Sequence, residues 1–290
     1  MTPTVYIVVG PTAVGKTKYA IELAQRLKTE IISADARQCY QELNIGVARP
    51  SSLELATVPH HFIASHSIQD TVNAGVFEQY ALAKSAELLS KFGTAVMVGG
   101  TGLYIKAFVE GMDLIPAIDP AIRTQIQQDL STKGIEWLQN QVKQMDPNYW
   151  AIADQGEQQN TQRLSRALEV MTGTGQSILS FQNQTKKVRP FNIQKIGIEM
   201  PRAQLYDRIN QRVHQMDQMG LEEEVKALRP QFHLNALQTV GYQEWLPYLE
   251  GNQSKEAVIQ AIQQNTRHYA KRQMTWFKKD PEIKWQQASE

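Results

Sequence analysis

Val5-Tyr6-Ile7-Val8-Val9-Gly10-Pro11-Thr12-Ala13-Val14-Gly15-Lys16-Thr17 is the stretch on which the reading of this chain turns. Residues 5–9 form an unbroken apolar run, as expected of a strand buried on both faces of a parallel sheet. Gly10, Pro11, Thr12, Ala13, Val14, Gly15, Lys16 and Thr17 match G-x-x-x-x-G-K-[ST] in full. Ala20, Leu23, Ala24 and Leu27 then recur at i, i+3, i+4 and i+7, the stripe of an amphipathic helix. Strand, glycine loop and helix follow in the order a phosphate cradle needs. The glycines let backbone N–H groups face an anion, and the helix N-terminus adds positive dipole. Lys16 adds charge, and the Thr17 hydroxyl can hold Mg²⁺.

Working outward, residues 30–34 and 94–98 read as further strands, with a helix over 76–92 between them. Alternating strands and helices predict an α/β domain with a parallel sheet. From Asp119 to residue 186 the chain is rich in Gln, Asn and charge and has helical periodicity, which predicts a mostly helical insertion. A β run at 192–199 returns the chain to the sheet, and two helices follow at 202–228 and 253–278. The expected organisation is a core of 1–118 with 187–290 and an insertion domain of 119–186.

Composition sets outer limits. The chain has 290 residues and an apolar share of 42%, enough for a packed core. The lone Cys39 excludes an intrachain disulfide framework and a multi-cysteine zinc site. No apolar run approaches the ~20 residues of a membrane span. The start, MTPTVYIVVG, has no basic n-region. A reducing compartment, the cytoplasm, is the expected location. Net charge is +1, which argues against a nucleic-acid binder of the bulk-basic kind. The total hides an asymmetry. Residues 1–154 carry 12 basic and 15 acidic side chains, whereas residues 155–290 carry 18 and 14.

A P-loop alone means polyphosphate. An NTPase also wants a carboxylate at the end of an apolar strand, yet the 94–98 strand ends in Gly99-Gly100-Thr101-Gly102. The acid at a strand end is Asp35, followed by Ala36, Arg37 and Gln38. From spacing, Asp35 is a metal-site acid, a general base or a helix N-cap. The Gly99–Gly102 turn either lets backbone approach a ligand and presents the Thr101 hydroxyl, or simply makes a tight connection. Arg163 and Arg166, and Arg208 and Arg212, lie one helical turn apart and form either a phosphate clamp or a solvated face. Residues 267–279 hold five Lys/Arg and no acid, interleaved with Tyr269, Trp276 and Phe277. This is either a basic face that stacks on unpaired bases or an amphipathic helix with buried aromatics. His60 and His61 are adjacent and make no metal case. Cys39 reads as packing.

Taken together, the blocks resemble the tRNA dimethylallyltransferase (tRNA isopentenyltransferase) family over nearly the whole chain. They are GPTAVGKT at 10–17, EIISADARQCYQELNIGVARP at 30–50, VPHHFI at 58–63 and VGGTGLYIKAFVEGM at 98–112. QRLSRALEV at 162–170, LYDRINQRVHQMDQMGLEEEV at 205–225, QTVGYQE at 238–244 and NTRHYAKRQMTWFKKD at 265–280 complete the set. The resemblance implies a P-loop NTPase-like core whose cradle takes the pyrophosphate of dimethylallyl diphosphate rather than a nucleoside triphosphate. It implies prenylation of the exocyclic N6 of adenosine at tRNA position 37, with the anticodon stem-loop and Mg²⁺ as partners and a monomer as the expected state. Asp35 aligns with the family's general base, Arg212 with its pyrophosphate-clamping arginine, and Thr101 with a residue near the reacting adenine. Segments aligned with tRNA contacts are Asp35, Ala36, Arg37 and Gln38; Arg123; and Gln162, Arg163, Leu164, Ser165 and Arg166. The others are Gln238, Thr239, Val240, Gly241, Tyr242 and Gln243, and Lys271, Arg272, Gln273, Met274, Thr275, Trp276, Phe277 and Lys278. The chain departs from the family at Gln159-Asn160-Thr161, where Pro-Asn-Asp is usual, and in the longer preceding loop DQGEQQ. The competing enzymes are a small-molecule P-loop kinase and an isopentenyltransferase acting on free AMP or ADP. The non-enzymatic alternative is an RNA-binding P-loop protein.

Overall fold

The computed structural model describes residues 2–182 and 186–288. Strand β1 (Thr4–Val9) leads through the glycine loop into α1 (Lys16–Leu27) and β2 (Ile31–Ser33). Then come α2 (Ser52–Thr57), β3 (His60–His61), α3 (Ala74–Phe92), β4 (Thr94–Val98) and α4 (Gly102–Glu110). A helical run follows, of α5 (Pro120–Met145), α6 (Pro147–Ile152), α7 (Gln155–Gln158) and α8 (Thr161–Thr174). The chain returns through β5 (Asn192–Glu199) to α9 (Arg202–Gln218), α10 (Leu221–Leu228), α11 (Leu246–Leu249), α12 (Lys255–Phe277) and β6 (Ile283–Gln287).

The six strands form one sheet in the order β3-β2-β4-β1-β5-β6, and every pairing is parallel. β1 sits inside, flanked by β4 and β5, which is why it is apolar without alternation. The edge strands differ. β3 is two histidines and β6 reads Ile-Lys-Trp-Gln-Gln, short and polar as exposed edges tend to be. Neither carries the apolar signature that gives away the inner strands.

Helix ends follow local chemistry. Asn73 caps α3 by accepting from the Gly75 and Val76 amides, and Gly93, left-handed at φ 73°, ends it before β4. The single helix expected over 202–228 is two. Gly220 takes φ 96° and breaks the run between α9 and α10.

The chain divides into two compact units, Met1–Gly111 with Lys187–Glu290, and Met112–Lys186. The second begins ahead of the composition change at Asp119. Val8, Val14, Ala24, Ile31, Val96 and Ile209 are among the core residues of the first. The second has its own core, including Leu138, Val142, Leu164 and Leu168. No helix among the described residues is long and apolar enough to cross a membrane.

Candidate active site

Sheet register assembles the site. Ser33 of β2 pairs with Val98 of β4, and Val98 pairs with Val8 of β1. The segments leaving the carboxyl ends of these three strands therefore lie side by side, as in open α/β sheets generally. They carry Asp35, Thr101 and the glycine loop 10–17.

The loop is held by its neighbours. Gly10 (φ 148°) runs against the Ile198 carbonyl where no side chain would fit, and Gly15 (φ 98°) turns into α1. Lys16 donates to the Pro11 carbonyl at 2.7 Å. Burial, reinforced by the Arg212 guanidinium, pulls the Lys16 amine down to about 7, with Asp35 opposing. Arg212 is itself lowered, by burial first and then by Arg208. Arg208 lies one turn earlier on α9 and donates to the Val14 carbonyl at 3.4 Å.

Asp35 Oδ1 accepts from the amides of Arg37 (2.9 Å) and Gln38 (3.2 Å). It thus caps a turn rather than a helix, and Oδ2 has no hydrogen-bond partner among the described residues. The Thr101 hydroxyl accepts from the Ala36 amide at 3.0 Å and lies beside the Tyr269 phenol. Burial, with the Asp35 carboxylate second, pushes that phenol up to about 12.

Two cavities meet at Asp35. The larger, about 980 Å³, is lined by the glycine loop with Lys16 and Thr17, and by Gln38 and Arg212. The smaller, about 120 Å³, is lined by Arg37, Thr239, Val240 and Gly241. Thr12, Asp35, Arg212 and Tyr269 border both. The 44–49 loop, which also lines them, is pinned from α10. Glu224 accepts from the amides of Ile45 (2.8 Å) and Gly46 (3.1 Å) and from the Tyr242 hydroxyl (2.7 Å).

The residues aligned with RNA contacts divide by burial. Arg123, Gln162, Arg163, Gln238, Gln243, Lys271, Arg272, Thr275, Trp276 and Lys278 are exposed, and Ser165, Arg166 and Met274 are half-buried. Arg163 pairs with Glu157, and Arg166 pairs with Glu169 at 2.9 Å. The side chains of Leu164, Tyr242, Gln273 and Phe277 turn inward instead. Leu164 belongs to the core of the second unit, and Tyr242 is spent on Glu224. Gln273 and Phe277 fall on the inner face of α12, one turn apart. Sequence reasoning passed over Glu224 as a site residue and took Tyr269 only as one of the aromatics of the basic tail. The one available signal was the i, i+4 spacing of Tyr269 and Gln273.

A parallel α/β sheet with a P-loop-like cradle at its carboxyl edge defines the class of protein. The chain belongs to the IPP transferase family, whose model matches residues 38–280, and it is therefore a prenyl-transferring enzyme. It is 49% identical over 278 residues to the tRNA dimethylallyltransferase of Christiangramia forsetii, covering 96% of this chain and 91% of that one. Its fold matches the crystal structure of the full-length tRNA isopentenylpyrophosphate transferase from Bacillus halodurans with a TM-score of 0.72 and 34% identity, covering 99% and 90% of the two chains. A eukaryotic dimethylallyltransferase described as acting on tRNA gives a TM-score of 0.80 over 100% of this chain and 75% of that one. At 22% identity, that match bears on the fold alone.

Proposed function

We propose that the protein transfers the dimethylallyl group of dimethylallyl diphosphate to N6 of the adenosine at tRNA position 37, releasing pyrophosphate. The observation that carries this reading is Asp35 at the junction of two cavities, one of them continued by the glycine loop, Lys16 and Arg212. One cavity suits a diphosphate, and the other admits a base taken out of its stack.

Adenine N6 is a poor nucleophile because its lone pair is delocalised into the ring. Asp35 accepts the N6 proton as the bond from N6 to carbon 1 forms and the bond from carbon 1 to the diphosphate oxygen breaks. The Thr101 hydroxyl, held by the Ala36 amide, aligns the amine beside Asp35. Negative charge grows on the departing oxygen. Lys16, the loop amides and Arg212 stabilise it. Burial makes these cations effective, because they act where water is scarce.

Mg²⁺ fits this site with the Thr17 hydroxyl as protein ligand. No cluster of three His, Cys, Asp or Glu occurs among the described residues, and Mg²⁺ in such sites takes its remaining oxygens from phosphates and water. Bound there, it would neutralise diphosphate charge. RNA contacts fall to the exposed side chains, chiefly Arg123, Arg163, Lys271, Arg272, Trp276 and Lys278.

The test is incubation of unmodified tRNA with labelled dimethylallyl diphosphate, followed by mass spectrometry of the nucleosides. Dimethylallyl-adenosine at position 37 is the expected product. ADP formed from ATP and a small acceptor, with no label in tRNA, would overturn the reading in favour of a kinase.

A further inference from the structure

Gln273 has an unusual position for a residue in a basic stretch. Its side chain is 6% exposed, and its amide joins two distant loops. Oε1 accepts from the Thr12 amide at 2.8 Å, and Nε2 donates to the Gly100 carbonyl at 3.0 Å. Thr12 lies in the glycine loop, and Gly100 lies in the turn after β4. Two glycines of that turn, Gly100 and Gly102, leave room for this docking, whereas Gly99 lies against the Ala34 backbone. A Cβ on Gly100 would run into the Gln273 amide, and one on Gly102 would run into the Trp276 ring. Backbone does approach closely here, but it approaches α12 rather than a ligand.

The glycine loop is affected directly. Pro11 has no N–H, and the Thr12 N–H is taken by Gln273, so the first half of the loop is fixed by protein. The amides left for an anion are those nearer Gly15 and Lys16. Their aim depends on where Thr12 is held. The helix that holds it has two faces. Tyr269 and Gln273 face inward, one turn apart, to Thr101 and to Thr12. His268, Lys271, Arg272, Thr275, Trp276 and Lys279 line an open groove of about 390 Å³ along the same helix, and the Trp276 ring reaches from it to Gly102.

We propose that Gln273 is a positioning residue that sets the phosphate cradle, and that it ties the cradle rigidly to the helix whose outer face is basic and aromatic. Its ligand class is the diphosphate ester of the reading above, on which this inference rests. It acts through Thr12 and does not touch the RNA.

The test uses the full chain and two variants, Gln273→Met and Gln273→Glu. Calorimetry reads the affinity for inorganic pyrophosphate and for dimethylallyl diphosphate, filter binding reads the affinity for tRNA, and steady-state kinetics separates KM from kcat. Gln273→Met keeps the length of the side chain and loses both hydrogen bonds. It should weaken both diphosphates by about tenfold, the value of one to two such bonds, while tRNA affinity stays within about twofold. Gln273→Glu should be similarly weak when ionised, because a carboxylate cannot donate to the Gly100 carbonyl. Taken as a ratio to wild type at the same pH, its affinity should recover as the pH is lowered and the carboxyl regains its proton, since the protonated carboxyl can again donate to the Gly100 carbonyl. If Gln273→Met does not fold, the pH-dependent recovery of Gln273→Glu decides. Unchanged diphosphate affinity in the folded Met variant, a Glu variant with no pH-dependent recovery, or loss of tRNA binding alone would overturn the proposal. A wild-type protein that fails to bind either diphosphate would instead overturn the functional reading beneath it.

Discussion

Asp35 Oδ1 holds the turn at 36–38 through two amides, so the carboxylate is oriented before any substrate arrives. The cap that spacing alone left as an alternative to catalysis uses Oδ1 and is compatible with the proposed role of Asp35 as base. Asp35→Ala should lower kcat by about 10²–10⁴, the range for loss of a positioned base, with tRNA affinity little changed in a filter-binding assay. Lys16 supplies the pH dependence. In the free protein its amine is lowered to about 7, and a diphosphate beside it raises that value, so binding takes up a proton. Affinity is therefore full below pH 7 and falls as the pH rises through it, by at most about tenfold per unit for one proton. Calorimetry in buffers of different ionisation heat should detect the uptake above pH 7, and Lys16→Met should abolish it. Neither the Lys16 shift nor the Tyr269 contact is visible in sequence. The Lys16 shift comes first from burial and then from Arg212, and the Tyr269 contact from Thr101, all set by remote segments.

At the scale of elements, the 44–49 loop has no regular structure and is shaped from outside. Glu224 answers two of its amides and Tyr242, and Gly46 lies so close to the Tyr242 ring that a Cβ would stand 2.6 Å from it. Glu224→Ala would remove the shared partner of these three part-buried donors, at a cost of about 3 kcal/mol measured as a shift in the urea unfolding transition. Tyr242→Phe, which loses a single hydroxyl, should cost about 1 kcal/mol. The inner strands and the long helices were legible in the sequence because each imposes its own period on apolar residues. The edge strands β3 and β6 were not, since an edge needs little apolar surface. The break at Gly220 was missed because one glycine in a periodic run reads the same whether or not the helix continues through it.

Across the whole molecule, the net charge of +1 is a balance between unlike regions. Lys271 and Arg272 are exposed on α12, whereas Arg163 and Arg166 already have carboxylate partners. Lys271→Ala should therefore weaken tRNA binding and reduce the slope of log affinity against log salt by about 1, and Arg163→Ala should do so less. A salt titration of each variant reads the difference. By itself the sequence determined the cradle, the parallel sheet core and the acid at Asp35, because those signals are local: a glycine pattern, a run of apolar residues, a charge at a strand end. Only the tertiary structure decided which of the residues in the basic–aromatic helix face solvent and which face the cradle. Gln273 and Lys271 lie two positions apart in one motif, and their roles separate only when α12 packs in a particular rotation against loops contributed by Thr12 and Gly100. That rotation is set by contacts between segments far apart in the chain, which no local pattern records.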